Sequence, residues 1–301
     1  MSKTVNIEQN YTDIKNFLDK YFSTYTLLTN IDVGHHSKTC SFMHNNKQYI
    51  VRRSKVNYNY KKDQRVSLML GDILPVPKVL MLKKYGDYFY CVQNKVRGVT
   101  ADKILEEEYK LLLPQIFESL HKIHSFKIDG FTGFGTWDSK GVAPFDTWAE
   151  YLDDVHNEEK WENLSKSTKF NLKLISKLYL KLAKLLPHIE SEQALLHGDF
   201  GRDNLLVLKG KISGIIDWGE SKIGDRLYDI AWIYLWNPKL NIWNNYQKYI
   251  NDKKYKINDL QNRFLACLIE ISISSLEWTA ENLEDKDYIW LENRVKNILN
   301  I

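Results

Sequence analysis

His197, Asp199, Asp203, Asn204 and Asp217 crowd into one stretch, LLHGDFGRDNLLVLKGKISGIIDWGE (195–220), between apolar runs at 194–196, 205–208 and 212–216 that read as short buried strands. The set is rich in hard oxygen acceptors and poor in donors. One or two carboxylates plus an amide oxygen suit Mg²⁺, which keeps waters and substrate phosphates in the rest of its shell. A carboxylate two residues after a histidine, in a loop bounded by glycines, could instead orient a hydroxyl and take its proton. Together these are the parts of phosphoryl transfer: a base for the nucleophile, and metal ligands that clamp the leaving phosphate. His-Gly-Asp alone reads as an ordinary turn, and Asp-Trp-Gly alone as a strand end. The ordered combination, with the apolar runs in place, points to chemistry.

The elements that must position these groups follow from the rest of the chain. Its 301 residues are 44% apolar, enough for a sizeable core and for two lobes. A net charge of +4 with no basic stripe interleaved with aromatics argues against a nucleic-acid partner. Cys40, Cys91 and Cys267 are odd in number and widely spaced, which suggests a reducing compartment rather than a disulfide framework. The N-terminus lacks the apolar core of a signal peptide, and the most apolar run, IAWIYLW (230–236), is too short to span a bilayer. A cytoplasmic protein with no membrane partner, acting as a monomer, is the expectation.

The first third is strand-rich. CSFMHNNKQYIVRR reads as a hairpin turning at Asn45-Asn46, and LPVPKVLMLKKYGDYFYCVQNKV as a second around Tyr85-Gly86-Asp87, with a helix near 61–71 between them. Near RGVT (97–100) the period changes from 2 to 3.6. Leu113, Ile116, Phe117, Leu120 and Ile123 then form a helical stripe with Pro114 placed in its first turn. Further helical patterns cover about 167–186, 225–236, 241–251 and 258–281, and 195–217 is a strand island among them.

HGDFGRDN, followed by Asp217 in IIDWGE, resembles the catalytic and metal-binding segments of the aminoglycoside phosphotransferase family, whose fold is shared with protein kinases and choline kinases. YIVRRS, LPVPKVL, YCVQNKVRGVT, DTW and the GD…W-x-P run through Trp236 and Pro238 are similar as well, so the resemblance extends from about residue 12 to 240. It is strongest to the hygromycin B-type branch of the family. The resemblance implies an α+β, bilobal protein-kinase-like fold, with a small antiparallel-sheet N-lobe (1–96) that binds nucleotide and a larger, mainly helical C-lobe (97–301) with the catalytic loop, metal site and acceptor-binding helices. Asp199 becomes the catalytic aspartate, Asn204 and Asp217 the Mg²⁺ ligands, and His197 a support for the loop. Asp225 and Asp229 become structural acids, Asp225 placed to cap a helix. In the N-lobe, Gly34 and Ser37 fall in the turn between the first two strands, where N–H groups and a hydroxyl can reach phosphates. Arg52 stands where the family usually has lysine; it keeps the charge and offers a planar fork. Asp63 is the candidate acidic partner of Arg52. Gln93, Asn94, Lys95 and Val96 form the hinge that presents backbone groups to a purine. ATP with Mg²⁺ is the implied cofactor pair, with GTP open as an alternative donor.

FDTWAEYLDDVHNEEK (145–160) carries Asp146, Glu150, Asp153, Asp154, Glu158 and Glu159, and ENLEDKD (281–287) is a second acidic run. Such runs are as often a solvated helix face as a cleft for a polycation. The resemblance places them around the acceptor, so Glu150, Asp153, Asp154 and Trp236 are the candidate substrate residues. The expected activity is a resistance kinase that phosphorylates an aminoglycoside hydroxyl, a hygromycin B-type compound first. The same chemistry on a macrolide, choline, sugar or homoserine-like acceptor is the alternative, and a nucleotide-binding pseudokinase scaffold is a third reading. A metal phosphohydrolase would need further histidine ligands, and His121, His124 and His156 lack a convincing spacing.

Overall fold

The computed structural model describes residues 11–30, 38–190 and 192–300, so Gly34 and Ser37 lie outside the described residues. The chain separates into two compact units, one made of residues up to Val99 together with Leu206–Gly219, the other of Thr100–Leu205 and Glu220–Ile301. The sequence alone places the boundary at 96 and the strand island wholly with the helices; here the second half of that island belongs to the sheet-rich unit.

In the first unit, α1 (Thr12–Tyr21) buries Ile14, Phe17 and Leu18, one helical stripe, against a five-stranded antiparallel sheet. The strands are β1 (Thr26–Asn30), β2 (Lys38–His44), β3 (Lys47–Ser54), β4 (Val79–Tyr85) and β5 (Tyr88–Asn94), in the order β1-β2-β3-β5-β4. The Phe17 ring stacks on Tyr90 at 4.1 Å between centroids, and Arg53 pairs with Asp13. Both expected hairpins are present. Asn45 and Asn46 adopt φ of 48° and 58°, as a two-residue turn matched to strand twist requires, and Gly86 turns the second at φ 58°. Between β3 and β4 runs α2 (Tyr58–Leu70), three residues earlier at its start than the sequence suggests.

After the short strand β6 (Val99–Thr100), the second unit begins with α3 (Glu106–His124). Its buried face carries Leu113, Ile116, Phe117, Leu120 and Ile123, as expected. Pro114 is not in the first turn. It lies in the helix interior, because the acids Glu106, Glu107 and Glu108 extend the helix N-terminally, where negative charge meets the positive end of the dipole. Strand β7 (Gly135–Thr136), α4 (Trp148–Asp153), α5 (Glu158–Ser167), α6 (Leu172–Leu185) and β8 (Ala194–Leu196) follow. The chain then forms the hairpin β9 (Leu205–Leu208) and β10 (Lys211–Ile215) and re-enters the second unit with β11 (Lys222–Gly224). β11 pairs antiparallel with β7 on one side and β8 on the other. Helices α7 (Leu227–Trp236), α8 (Ile242–Asp252), α9 (Leu260–Asn282) and α10 (Asp285–Leu299) complete the unit. α9 is its central helix: Ala266, Cys267, Ile269, Ile271, Ile273 and Leu276 are all fully buried. Among the described residues, no helix is long and apolar enough to cross a membrane.

Gly224 closes β11 against the Trp148 indole, and a Cβ there would come within 2.2 Å of ring carbon Cζ3. Trp148 is fully buried and has nowhere to retreat. Gly224→Ala is therefore expected to cost about 1–3 kcal/mol of stability through overpacking. Urea unfolding measures it, and a loss under about 0.5 kcal/mol, the range of neutral surface changes, would mean the indole moves aside.

Candidate active site

The loop that leaves β8 is built around a buried carboxylate. Asp229, in the first turn of α7 and fully buried, accepts the His197 N–H at 3.0 Å and the Gly198 N–H at 2.8 Å, and its Oδ2 lies 2.9 Å from His124 Nε2. Gly198 takes φ 83°, and a Cβ there would strike the Glu220 carbonyl oxygen at 2.1 Å. Only glycine fits. The buried His197 ring accepts the Asp199 N–H through Nδ1 at 3.3 Å, so it supports the loop as expected. Asn204, also buried, donates Nδ2 to the Asp199 carbonyl at 2.9 Å and to its Oδ2 at 3.0 Å. Asp199 itself is half-buried, so its carboxylate is held by the loop yet open to solvent. Arg202 anchors the far side through Glu106 and Asn237, each at 2.6 Å. Asp225 accepts the Leu227 N–H at the start of α7 and the Arg263 guanidinium in a fork at 2.6 and 3.0 Å, the latter a buried ion pair.

The first unit carries a separate constellation. Arg52 on β3 pairs with Asp63 on α2 at 2.6 Å and approaches Asp217 at 3.4 Å. Burial disfavours the Arg52 charge, but the two carboxylates outweigh it and hold the guanidinium charged. Burial likewise pushes the Asp63 carboxyl up, against the pull of Arg52 and the Trp218 N–H; since guanidinium stays protonated in proteins, the pair is ionic. Asp63 is thus the acidic partner that the sequence offers only as a candidate. Asp217 has a half-exposed side chain and a φ of 60°, the left-handed region a non-glycine residue rarely occupies without support. Beside it, Gln93, Val76, Pro77, Asp63, Ile216 and Trp218 line a small cavity, which brings the hinge and the Asp217 loop together. The Asn94 and Lys95 N–H groups are committed to the Lys78 and Gln48 carbonyls, each at 3.0 Å, and Val96 packs over Gly214.

The acidic segment has local explanations. Glu150 closes a capping box on α4, accepting the Asp146 and Thr147 N–H groups at 3.0 and 3.2 Å. Asp153 accepts the Tyr179 hydroxyl at 2.8 Å, Asp154 is exposed at the α4 C-terminus, and Glu158 and Glu159 sit in the first turn of α5. In the second run, Glu281 and Asp285 face Lys160 and Lys169. Trp236 is half-buried and stacks on Trp290 at 5.9 Å, while Trp148 and Trp161 are core. Sequence reading passes over Trp290, His124 as the Asp229 partner, and Lys62 and Asn59 on α2. For α2 a signal exists: N-x-x-K-D puts Asn59, Lys62 and Asp63 on one helical face.

Among solved structures, the chain aligns with a thermostable mutant of aminoglycoside phosphotransferase APH(4)-Ia, in ternary complex with ADP and hygromycin B. The alignment covers 96% of this chain and 98% of that one, with a TM-score of 0.84 and 23% identity. The two units therefore make up an α+β fold of the protein-kinase-like class. The model of the APH phosphotransferase enzyme family matches residues 29–245, more than half of the chain, and the protein belongs to that family. Hygromycin-B 4-O-kinase of Escherichia coli is 24% identical over 295 residues, 96% of this chain and 85% of that enzyme. An aminoglycoside 3'-phosphotransferase of Enterococcus faecalis is 30% identical over 182 residues, 60% of this chain and 66% of that enzyme.

Two buried acids of the helical unit titrate in opposite senses. Burial works against ionising Asp229, but His124, His197 and the Gly198 N–H outweigh it and hold the carboxyl below the usual range. Glu270 on α9 is also buried, and there desolvation wins over Lys222, Ser274 and Tyr228, pushing the carboxyl up to about 7 from 4.5. A raised carboxyl favours folding at low pH, and that contribution is lost as pH rises from 4.5 through 7. Glu270→Gln removes the titration. The stability of the variant relative to wild type is expected to grow by about 3 kcal/mol between acid and mildly alkaline solution. Parallel unfolding curves for the two proteins across that range would refute the assignment.

Proposed function

We propose that this protein is an ATP- and Mg²⁺-dependent kinase that transfers the γ-phosphoryl group to a hydroxyl of an aminoglycoside, with hygromycin B as the first compound to try. The single observation that carries the reading is the loop 197–204. It fixes the Asp199 carboxylate through Asn204 Nδ2, with its backbone tied to Asp229. A carboxylate so held, half-open to solvent, can accept a hydrogen bond from an alcohol, align its oxygen, and take the proton as the bond to phosphorus forms.

With its Nδ2 turned to Asp199, Asn204 offers its amide oxygen, and Asp217 offers an exposed carboxylate; both are the hard oxygen donors that Mg²⁺ takes. Asn204 and Asp217 are assigned as its ligands. The ion would supply charge neutralisation at the phosphates. Arg52, held charged between Asp63 and Asp217, is assigned to the α/β-phosphates, and Gly34 and Ser37 to the phosphate turn. The hinge, Gln93 to Val96, is assigned to the purine. The Asn94 and Lys95 N–H groups are engaged, so the Gln93 side chain, which lines the cavity, and Val96 are assigned to the base. In this scheme the sheet-rich unit binds nucleotide and the helical unit carries base and acceptor. ATP rather than GTP is the proposed donor, and the reducing cytoplasm, which keeps the three buried cysteines free, is the proposed compartment.

On the acceptor side Trp236 is the strongest of the four candidates, since a half-buried ring already stacked on Trp290 offers a face for a sugar. Glu150 and Asp153 are engaged within the fold, an observation that favours a less cationic acceptor as the second reading. Two measurements separate them. ATP consumption over a panel of aminoglycosides and neutral metabolites should be greatest with hygromycin B. Asp199→Ala should lower kcat on the preferred acceptor by about 10²–10⁴-fold and leave nucleotide affinity intact. Turnover confined to an uncharged metabolite would overturn the antibiotic assignment, and near-wild-type kcat in the variant would remove Asp199 from the chemistry.

A further inference from the structure

The Asp217 loop is gripped from one face of α2 by three side chains, of which only Asp63 has a role so far. Asp63 spans Arg52 and the Trp218 N–H, at 2.6 and 3.0 Å. One residue earlier, Lys62 is fully buried and its Nζ donates to the Gly219 carbonyl at 2.9 Å. A helical turn before that, Asn59 packs beneath Gly219, where a Cβ would lie 2.7 Å from Asn59 Nδ2. The backbone just after Asp217 is thus tied down at two successive residues. Asp217 itself sits at φ 60°, a strained conformation that persists only where neighbours impose it.

Burying an ammonium is costly by several kcal/mol even after relaxation, and methionine would fill the same volume without that cost. The charge is spent on a carbonyl oxygen and on the Tyr58 ring, 4.7 Å away. The first contact holds the Gly219 backbone against α2, while the second lies within α2 itself.

We infer that Lys62 is a positioning residue for the metal: by holding the Gly219 carbonyl it keeps the Asp217 carboxylate turned outward to receive Mg²⁺. The inference rests on Asp217 being the metal ligand, as proposed above. A residue that only stabilised the fold would weaken nucleotide binding with and without metal alike. Lys62 instead should act on the metal-dependent part, because the carbonyl it holds lies two residues beyond Asp217.

Calorimetric titration of ADP into the intact protein, with and without Mg²⁺ and without acceptor, reads this directly. In Lys62→Met the gain in ADP affinity on adding Mg²⁺ should shrink by about tenfold or more, the usual effect of losing a partner behind a metal ligand, while metal-free ADP binding holds. Should Lys62→Met not fold, Gly219→Ala carries the test, since it pushes the loop off Asn59 without removing a charge, and the same selective loss is expected. An undiminished Mg²⁺ effect in a folded variant, or equal losses with and without metal, overturns the role of Lys62. Asp217→Asn in the same titration separates the two levels. A loss there with none in Lys62→Met defeats the positioning role alone, whereas no loss in either defeats the metal assignment itself and the inference with it.

Discussion

A carboxylate with no access to water must find all its hydrogen-bond donors within the chain, and Asp229 finds them in three places. The His197 and Gly198 N–H groups come from the exit of β8, and His124 from the last turn of α3. One side chain of α7 thereby ties together a strand end and a second helix. Because an unpaired buried charge costs several kcal/mol, few alternative loop conformations survive the requirement. The direction in which Asp199 leaves the strand follows from it. Gly198 must be left-handed to present its N–H, glycine is required because Glu220 blocks a Cβ, and Asn204 then closes the loop on Asp199. The course of this surface loop is set by electrostatics in the unit's interior.

The sheet-rich unit obeys the same rule with the signs exchanged. Its cations, the largely buried Arg52 and the fully buried Lys62, come first, and the acceptors are arranged around them. Asp63 is the pivot, since one oxygen meets a guanidinium and the other a backbone N–H of the loop after Asp217. Removing it would leave a charge and a donor unsatisfied together. Each unit therefore fixes its own loop, 197–204 in one and 217–219 in the other, from its own buried pairs.

What the sequence showed in advance, and what it hid, divides along physical lines. Both hairpins were legible because period-2 patterning coincided with turn residues that tolerate positive φ, Asn45-Asn46 and Gly86. The loop 197–204 and Asp217 stood out because oxygen acceptors cluster there at the ends of three apolar runs, which plain hairpins do not require. Helix α9 was found with no amphipathic stripe to mark it, being buried all round, whereas α1 and α10 were missed, short of strong punctuation at their starts. Pro114 was placed in a first turn on the usual preference of proline, but the three acids before Tyr109 carry the helix further back, and tertiary packing tolerates the lost hydrogen bond. The pairing of Arg52 with Asp63 was offered but not fixed, since an acid on a helix is more often solvated.

The acceptor side was the least legible, and the reason lies in what binds an acceptor. A base and its metal ligands act through short, directional contacts, so their spacing is preserved along one loop. A surface that receives a sugar is commonly assembled from side chains on separate elements, and no interval in the chain relates them; the Trp236–Trp290 stack, between α7 and α10, is such a cross-helix pairing. Charge runs mislead for a similar reason. Acids gather at 145–160 where two short helices begin, because each helix N-terminus offers unpaired N–H groups and a positive dipole end. Glu150 answers that local demand in full, with a carboxylate already closed on two backbone donors. A run of acids thus reports first on helix starts, and only an acid that the fold leaves unengaged, as Asp154 is left exposed beyond α4, is free to report on a ligand.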